Sequence, residues 1–377
     1  MRISLVAGAR PNFMKLAPLV FALKKAGVSP RIVHTGQHYD EKMSDAFFDD
    51  LGIPTPDVNL GVGSGSHVFQ IAEVMRQFET ELARNPADIV VVMGDVNSTL
   101  AAALAAQKCG TKVAHVEAGL RSFDRTMPEE INRILTDGLS DWLFVSEPSG
   151  ETNLRREGID PGRIHFVGNV MIDTLLTHSE RARGLGYHRE LGLVPQKYQL
   201  VTLHRPSNVD SPERLESILR GLKQLSEELT TVFVVHPRTR TRLEQEGPGR
   251  LVADGNFVMI EPLGYLAMLS LMQTARIVLT DSGGMQEETT ALGIPCLTLR
   301  ENTERPVTVE IGTNALVGWK SDEIVSAAQR ILSGGARRGR VPEKWDGRAS
   351  ERIVDVLIGS ADAHSTNGRD TRNLATC

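Results

Sequence analysis

Cysteine is scarce in this chain, which has three in 377 residues, at Cys109, Cys296 and Cys377. An odd number at such wide spacing fits neither a disulfide framework nor a zinc site. The apolar runs reach only strand length, which excludes a helix that spans a bilayer. The N-terminus also lacks the longer apolar core of a signal peptide. These absences favour a protein of a reducing cytoplasm.

An excess of either charge is also missing, since 42 basic side chains stand against 47 acidic ones and the net charge is -5. No basic block is present, so nothing in the charge favours nucleic acid or a membrane surface as a partner. The first predicted turn, Ala7–Asn12, lacks the G-x-G-x-x-G pattern of nicotinamide and flavin enzymes. No cluster of metal ligands stands out either, so we expect no cofactor and no metal.

What the chain has is a regular alternation of apolar runs and longer amphipathic segments. The runs predict strands at Ile3–Val6, Arg31–Thr35, Ile89–Met93, Val113–Val116, Leu143–Val145, Ile164–Val167, Leu200–Leu203, Val232–Val235, Val258–Ile260, Ile277–Thr280 and Cys296–Leu299. The segments predict helices at Phe13–Ala26, Glu41–Leu51, Val68–Arg84, Ser98–Lys108, Glu129–Gly138, Ser149–Glu157, Pro212–Leu229, Tyr265–Thr274 and Gly284–Leu292. Such alternation is typical of parallel sheets covered by helices on both faces.

The strands form two series, separated by the loop-rich segment Gly184–Pro195. We therefore predict an α/β fold of two Rossmann-like, doubly wound domains that face a central cleft. Residues 1–169 are expected to form the first domain, with a final helix at about 348–358 crossing back to it, and 170–347 the second. The tail at 360–377 has little to bury and is predicted to be disordered.

The most informative stretch is Asp281–Glu288, of sequence DSGGMQEE, directly after the strand Ile277–Thr280. Its two glycines allow a sharp turn and a close approach to a ligand. The helix that begins there directs its first N–H groups and its positive dipole end at the strand edge, which suits an anion. The paired acids suit the hydroxyls of a ribose. A plain packing turn is the alternative, but the combination favours a nucleotide diphosphate.

Titratable residues also stand at the carboxyl ends of four predicted strands, namely Asp95, Glu117, His204 and His236. Ligands of open parallel sheets bind at that edge. Helix capping is an alternative for any one of them, and Asn97 keeps it open for Asp95. Four such coincidences favour a functional site.

Basic side chains follow the same edges, with Arg10 and Lys15 after the first strand and Arg305 after a later one. Their charge suits a diphosphate, although a solvated lysine on a helix would explain Lys15 equally well. Glu129 and Arg133 are four residues apart on a predicted helix and share one face. They are either a surface ion pair, or Glu129 is a further carboxylate of the site and Arg133 is its partner.

Taken together, the motifs resemble those of the non-hydrolysing UDP-N-acetylglucosamine 2-epimerases, in the family's order and over about residues 1 to 358. They are Gly8–Pro11, Met14-Lys15, Gly94-Asp95, His115–Arg121, Pro128–Glu130, Asn132-Arg133, Thr280–Gly284, Gln286–Glu288 and Glu304–Pro306. The resemblance implies the GT-B fold of phosphorylase-like glycosyltransferases, a UDP-sugar substrate and a homodimer.

The resemblance also implies roles for individual residues. The catalytic group would be Asp95, Glu117, Glu129 and His204. The substrate would be held by Arg10, Lys15, Arg133, His236, Leu263, Met268, Ser282, Gly283, Gly284, Glu288 and Arg305, with Leu263 and Met268 acting through backbone atoms on the uracil side.

The chain departs from the family's pattern at Ala9 and Asn12, at Pro206-Ser207, and at Val307. Relatives often have Gly-Thr-Arg-Pro-Glu at the positions of Gly8–Asn12, His-Arg-Arg-Glu-Asn at those of His204–Asn208, and Arg-Pro-Glu at those of Arg305–Val307. These differences put activation by a second UDP-sugar molecule in doubt and permit a modified sugar.

The implied reaction is the reversible C2 epimerisation of UDP-N-acetylglucosamine to UDP-N-acetylmannosamine, with 2-acetamidoglucal as intermediate. Loss and return of UDP is required because the C2 proton is not next to a carbonyl and no nicotinamide site is available. Three alternatives stay open: a hydrolysing epimerase, a UDP-sugar glycosyltransferase and a UDP-sugar sensor without turnover. The pathway, for envelope polysaccharide or a specialised metabolite, is not fixed by the residues.

Overall fold

The computed structural model describes residues 1–36, 48–245, 249–253 and 255–365. For Arg10, Gln245 and 361–365 it describes the backbone only. The chain divides into two compact units: Met1–Thr174 together with the C-terminal residues from Glu343, and Leu175–Pro342. Within the described ranges, none of the helices combines the length with the apolar character that a bilayer crossing requires.

The first unit contains a parallel sheet with seven strands among the described residues. In chain order they are β1 (Ile3–Ala7), β2 (Arg31–His34), β3 (Val58–Asn59), β4 (Ile89–Met93), β5 (Lys112–Ala118), β6 (Trp142–Val145) and β7 (Ile164–Phe166). Across the sheet they lie in the order β3-β2-β1-β4-β5-β6-β7.

The second unit contains a parallel sheet with six strands in the described part of the chain. They are β8 (Tyr198–Leu203), β9 (Thr230–Val235), β10 (Phe257–Ile260), β11 (Ile277–Thr280), β12 (Cys296–Thr298) and β13 (Asn314–Leu316). Their order is β10-β9-β8-β11-β12-β13.

Helices connect the strands in both units. The earlier ones are α1 (Arg10–Lys25), α2 (His67–Arg84), α3 (Asn97–Lys108), α4 (Pro128–Leu139), α5 (Pro148–Arg156) and α6 (Val170–Leu185). The later ones are α7 (Tyr187–Glu190), α8 (Pro206–Val209), α9 (Pro212–Ser226), α10 (Pro237–Gln245), α11 (Gly249–Ala253), α12 (Tyr265–Thr274), α13 (Gly283–Leu292), α14 (Pro306–Glu310), α15 (Ser321–Arg330) and α16 (Ala349–Ser365). The structure also has a 3-10 turn at Pro161–Arg163 and a π-helical turn at Ile331–Gly335.

The central strands are buried along their whole length, as in β1, β4 and β11. Strands covered on both faces have no polar side, which is why they read as continuous apolar runs in the sequence. The predicted fold class, α/β with two Rossmann-like doubly wound sheets, is confirmed.

The strand orders place one topological switch point in each sheet, between β1 and β4 and between β8 and β11. There the chain crosses from one half of the sheet to the other, so the loops at the carboxyl ends diverge and leave a crevice. Asp95 follows β4, while His204 and Ser282 follow β8 and β11. The candidate residues therefore gather at the two switch points.

Several sequence predictions need correction. The strands β3 and β13 were missed because two or three residues are too few to form a pattern. Helix α6 was missed because its first half is buried all round and its second half is polar, so no single apolar stripe runs along it. The segment Gly184–Pro195, expected to be a loop, contains α7.

Two predictions involve residues beyond the described ranges. Of the helix expected at Glu41–Leu51, residues 41–47 lie outside the described chain and 48–51 are helical. The final helix extends to Ser365 rather than about 358, so the tail expected to be disordered begins as helix, while 366–377 lie outside the described residues. Alanines at 361 and 363 favour that extension.

Candidate active site

The loop after β1 is held by the side chain of Asn12. Its Oδ1 accepts from the N–H groups of Gly8 at 3.1 Å and Ala9 at 3.0 Å, and its Nδ2 donates to Met93 O at 3.0 Å. Gly8 is required here because a Cβ would lie 2.2 Å from Ser98 Oγ. The asparagine that departs from the family's usual glutamate therefore ties the ends of β1 and β4 together.

Glu117 lies at the end of β5 with its carboxylate in contact with the Lys15 ammonium. Both side chains are buried. The backbone of Glu117 has φ 71°, in the left-handed region that non-glycine residues rarely adopt, and the register of β5 against β6 shifts at this residue. Such strain persists only where the surroundings fix it, and it is frequent at functional sites.

Asp95 pairs with Arg133, whose Nη2 lies 2.5 Å from Asp95 Oδ2. Asp95 is not the N-cap residue of α3, because that helix begins at Asn97 with Val96 as its N-cap. Arg133 is buried and also pairs with Glu130. The carboxylate of Asp95 remains partly exposed, and Arg133 fixes its position at the strand edge.

Glu129 does not pair with Arg133, although the two share a helix. Glu130 takes that place, and it also accepts from the N–H groups of Ser122 and Phe123, both at 2.9 Å. Glu129 is partly exposed in the first turn of α4, with no ion pair recorded to any described residue. The surface ion pair considered from the sequence is therefore wrong.

A buried cluster lies behind these carboxylates. His115 Nδ1 is 2.7 Å from Asp137 Oδ1, and His115 Nε2 is 2.8 Å from Gly94 O. Asp137 Oδ2 accepts from Gly119 N at 3.1 Å and lies 2.7 Å from Arg121 Nη2. Burial alone would raise the pKa of Asp137, but His115 and Arg121 outweigh it and the pKa lies below its ordinary value.

The switch point of the second unit contains His204 and Asp281. Asp281 is fully buried and accepts from the N–H groups of His204 at 3.1 Å and Arg205 at 2.9 Å. Its Oδ1 also lies 3.1 Å from His204 Nδ1. Burial would raise the pKa of Asp281, but His204 and these hydrogen bonds hold it below its ordinary value. Asp281 thus stays ionised and orients the His204 ring, which is partly exposed.

Helix α13 begins at the same edge, with Ser282 as its N-cap and Gly283 and Gly284 in its first turn. The first N–H groups of a helix have no partner within it, and the helix dipole adds positive potential there. A Cβ on Gly283 would lie 2.6 Å from Arg305 Nη1. The glycine thus lets the Arg305 guanidinium pack directly against the helix start.

Carboxylates fix the orientation of Arg305. Its Nη1 lies 2.8 Å from Glu304 Oε1 and its Nε 2.9 Å from Glu287 Oε1. Glu304 is in turn held by Arg300 Nη2 at 2.9 Å, with Arg205 Nη2 at 3.6 Å. This buried network presents preoriented cationic groups beside the start of α13.

Glu288 lies one turn along the same helix and is buried. Burial raises the pKa of Glu288 to about 8, with Tyr265 opposing the shift and the neighbouring charge of Glu287 adding to it. Tyr265 is also buried, and burial followed by the charge of Glu288 raises its pKa. Glu288 therefore keeps its proton to a higher pH than an ordinary glutamate does.

Four further candidates are His236, Leu263, Met268 and Arg10. His236 follows β9 and its ring centroid lies 5.8 Å from that of His204. Leu263 and Met268 are partly buried, and the N–H of Met268 donates to Gly264 O at 3.1 Å within the start of α12. Arg10 opens α1, and its side chain lies outside what the structure describes.

Comparison with known proteins identifies the family. A model of the UDP-N-acetylglucosamine 2-epimerase family matches residues 22–358. The chain belongs to this family.

Three relatives give the scale of the similarity. The Methanocaldococcus jannaschii UDP-GlcNAc 2-epimerase, crystallised with UDP-GlcNAc and UDP, is 42% identical with a TM-score of 0.89, over 95% of this chain and 100% of that chain. The Neisseria meningitidis UDP-GlcNAc 2-epimerase, crystallised with UDP-GlcNAc, is 30% identical with a TM-score of 0.88, over 95% and 100%. The Pseudomonas aeruginosa UDP-2,3-diacetamido-2,3-dideoxy-D-glucuronate 2-epimerase is 41% identical over 362 residues, 95% of this chain and 99% of that protein.

For this member of the UDP-N-acetylglucosamine 2-epimerase family, the expected GT-B-like α/β fold is confirmed. The sequence reasoning assigned no role to Asp281, Glu130, His115 and Asp137. Asp281 could have been found, because it directly follows a strand inside the glycine-containing motif. The other three residues contact side chains and backbone groups of other loops, and no local sequence pattern predicts such contacts.

Proposed function

We propose that the protein catalyses the reversible C2 epimerisation of UDP-N-acetylglucosamine to UDP-N-acetylmannosamine, by elimination and re-addition of UDP, without hydrolysis. The observation that carries this proposal is that the two switch points carry different kinds of group. One carries the carboxylates Asp95 and Glu117, and the other carries the helix start at Gly283 with Arg305. Elimination needs both proton transfer and a stabilised leaving group.

The reaction balances without a redox cofactor. A base removes the proton from C2, the C2–H electron pair forms the C1=C2 double bond, and the C1–O bond breaks with its electron pair leaving on UDP. The intermediate is 2-acetamidoglucal. UDP then adds back to C1 while C2 takes a proton on the opposite face, which inverts that carbon.

The second unit supplies the leaving-group half of the proposal. The N–H groups at Ser282–Gly284 and the guanidinium of Arg305 would stabilise the charge that develops on the diphosphate. Preoriented donors of this kind are worth roughly 3 kcal/mol each in acyl-transfer sites, which sets the scale. Glu288 would accept the ribose hydroxyls, and Asp281 would keep His204 directed at the phosphates.

The first unit supplies the proton-transfer half. Glu117 is buried against the Lys15 ammonium, whereas Asp95 is partly exposed and paired with Arg133. Different surroundings let two carboxyl groups serve as acid and base at one pH. Glu129, held by no ion pair with a described residue, is the third proton carrier.

Incubation with UDP-sugars in heavy water tests the proposal. We expect epimer carrying deuterium at C2 from UDP-N-acetylglucosamine. The 2,3-diacetamido glucuronate analogue belongs in the panel, because the Pseudomonas aeruginosa relative is named for it. Asp95→Asn and Glu117→Gln should each slow exchange by at least about 100-fold, while Glu151→Gln, on the exposed surface of α5, should not. Normal exchange in both amide variants would remove these residues from the mechanism.

Product analysis tests the non-hydrolysing part. Epimerisation by re-addition leaves the nucleotide on the sugar, so UDP-N-acetylmannosamine should accumulate to equilibrium while free UDP stays at trace level. Free N-acetylmannosamine and UDP formed in equal amounts, at the rate of epimerisation, would contradict it.

A further inference from the structure

His115 is buried completely, and both of its ring nitrogens face acceptor atoms. Nδ1 lies 2.7 Å from a carboxylate oxygen of Asp137 and Nε2 lies 2.8 Å from the carbonyl oxygen of Gly94. The ring therefore contacts one acceptor atom through each of its two nitrogens. The ring is thus a two-ended link between a helix carboxylate and a strand-end backbone.

Asp137 is the fixed end of this link. It projects from α4 and is completely buried. In addition to its contact with His115, it accepts a hydrogen bond from Gly119 N at 3.1 Å and lies 2.7 Å from Arg121 Nη2. Arg121 is itself held by Glu157, which lies 2.8 Å from its Nε. Buried polar networks in which every member has a partner are rigid and specify a single arrangement.

The link ends on the two loops that carry the candidate catalytic carboxylates. Gly94 immediately precedes Asp95, and Gly119 lies two residues after Glu117. Gly94 is held from both sides, because its N–H donates to Val116 O at 3.0 Å while its carbonyl accepts from His115. One buried network therefore fixes the backbone at Gly94, just before Asp95, and at Gly119, just after Glu117.

Glu117 needs such support. Its φ of 71° is a conformation that an L side chain avoids, and its carboxylate must meet the Lys15 ammonium beside Gly94. A shift of either loop would change the separation of the two carboxylates. Misplacement of a catalytic group by about 1 Å can cost roughly 100-fold in rate.

We propose that His115 is a positioning residue, which holds the Asp95 loop at a fixed distance from Glu117 by bridging Asp137 and the Gly94 carbonyl. The inference rests on the proposed function. His115 does not itself touch the substrate; it acts through the backbone at Gly94, and Asp137 holds its ring in the bridging orientation.

Two amide substitutions separate the two ends of the bridge. In His115→Gln the amide nitrogen can occupy the place of Nε2 and still donate to Gly94 O. In His115→Asn it occupies the place of Nδ1, so it keeps Asp137 and loses Gly94. A matched control is Gln107→Ala, which removes hydrogen bonds to Leu139 O and Asp141 in the same unit, at the opposite edge of the sheet.

The readout is deuterium incorporation at C2, measured as kcat and KM per folded enzyme, with thermal unfolding of each variant. We expect His115→Asn to lower kcat by about 30-fold or more with KM within about threefold, and His115→Gln to stay within about fivefold of wild type in both. Gln107→Ala should lose stability without losing kcat.

Equal losses of kcat in His115→Asn and His115→Gln, or losses that follow stability as in Gln107→Ala, would overturn the positioning role and reduce His115 to a structural residue. A wild-type enzyme without any C2 exchange across the panel would overturn the proposed function and this inference with it. The two failures are distinct, since the first is seen in active wild-type enzyme and the second in its absence.

Discussion

Single side chains at the two sheet edges have their ionisation set by their neighbours. Asp281 is buried yet keeps its pKa low, because His204 and backbone N–H groups stabilise the carboxylate. Glu288 is equally buried, but without comparable donors its pKa rises to about 8. Two carboxyl groups seven residues apart are therefore charged over different pH ranges.

The raised pKa of Glu288 predicts a pH-dependent cost to folding. The folded protein keeps this proton up to about pH 8, whereas the unfolded chain loses it near pH 4.3. The folded state binds more protons between these values, so this group lowers stability as pH rises through that window. Glu288→Gln removes the titration, and it should be more stable than wild type at pH 9 by a few kcal/mol, at about 1.4 kcal/mol per pKa unit.

Denaturant unfolding of both proteins at pH 5 and pH 9 measures this difference. The gain from Glu288→Gln should be much larger at pH 9 than at pH 5. A stability difference that is the same at both values would show that Glu288 is ionised throughout. The same comparison in Glu151→Gln, at the surface of α5, is the control for a change of glutamate to glutamine.

The residues of the candidate site were partly predictable from the sequence. Asp95, His204 and Ser282 follow strands and Glu117 lies at the end of one, and the carboxyl edge of a parallel sheet is where ligands bind. The partners of these residues were not predictable. Arg133 pairs with Asp95, which lies 38 positions away in the sequence. Arg133 pairs with Glu130 rather than Glu129, and Glu130 also binds the loop at Ser122, whose path next to α4 cannot be read from the sequence.

At the scale of elements, strands were more predictable than helices. Fully buried strands such as β4 read as unbroken apolar runs, and both predicted bounds of β4 and β11 agree with the structure. Helix α15 was missed although its buried Ile324, Ala327 and Ala328 repeat at helical spacing, a signal that was present. The uniform burial at the start of α6 leaves no such signal.

The start of α13 yields a prediction for nucleotide binding. A methyl group added in Gly283→Ala would lie 2.6 Å from Arg305 Nη1, so the guanidinium must move away from the helix start. We expect UDP affinity, measured by calorimetry, to fall by roughly tenfold or more, the scale of one lost charge-assisted hydrogen bond.

Gly184→Ala is the matched control, because Gly184 lies in α6 with no atom within 4 Å of an added Cβ. It should bind UDP normally and gain about 0.5–1 kcal/mol in stability. Unchanged UDP affinity in Gly283→Ala would mean that the nucleotide does not depend on Arg305 at this position.

At the scale of the whole molecule, the C-terminal segment belongs to the first unit. Trp345 is buried and donates from Nε1 to Ser146 O at 2.9 Å. Asp173 accepts from the N–H groups of Ala349 at 3.1 Å and Ser350 at 2.7 Å, which caps the start of α16. The segment from Glu343 is thus part of the first unit's core.

Loss of the Trp345 side chain should therefore destabilise the first unit selectively. We expect Trp345→Ala to cost about 3–5 kcal/mol, while Trp345→Phe, which keeps most of the ring, should cost about 1 kcal/mol. Hydrogen exchange should accelerate in β5 and β6 and stay unchanged in β8 and β11. Equal acceleration in both sheets would contradict this assignment.

In the proposed reaction, the bond between C1 and the diphosphate oxygen breaks and reforms during each inversion. Positional isotope exchange tests it directly, with oxygen-18 placed in the bridge between the sugar and the β-phosphate of UDP-N-acetylglucosamine. We expect the label to move into the non-bridging oxygens of the β-phosphate, in step with epimerisation and without free UDP accumulating. Inverted product whose label has stayed in the bridge would contradict it.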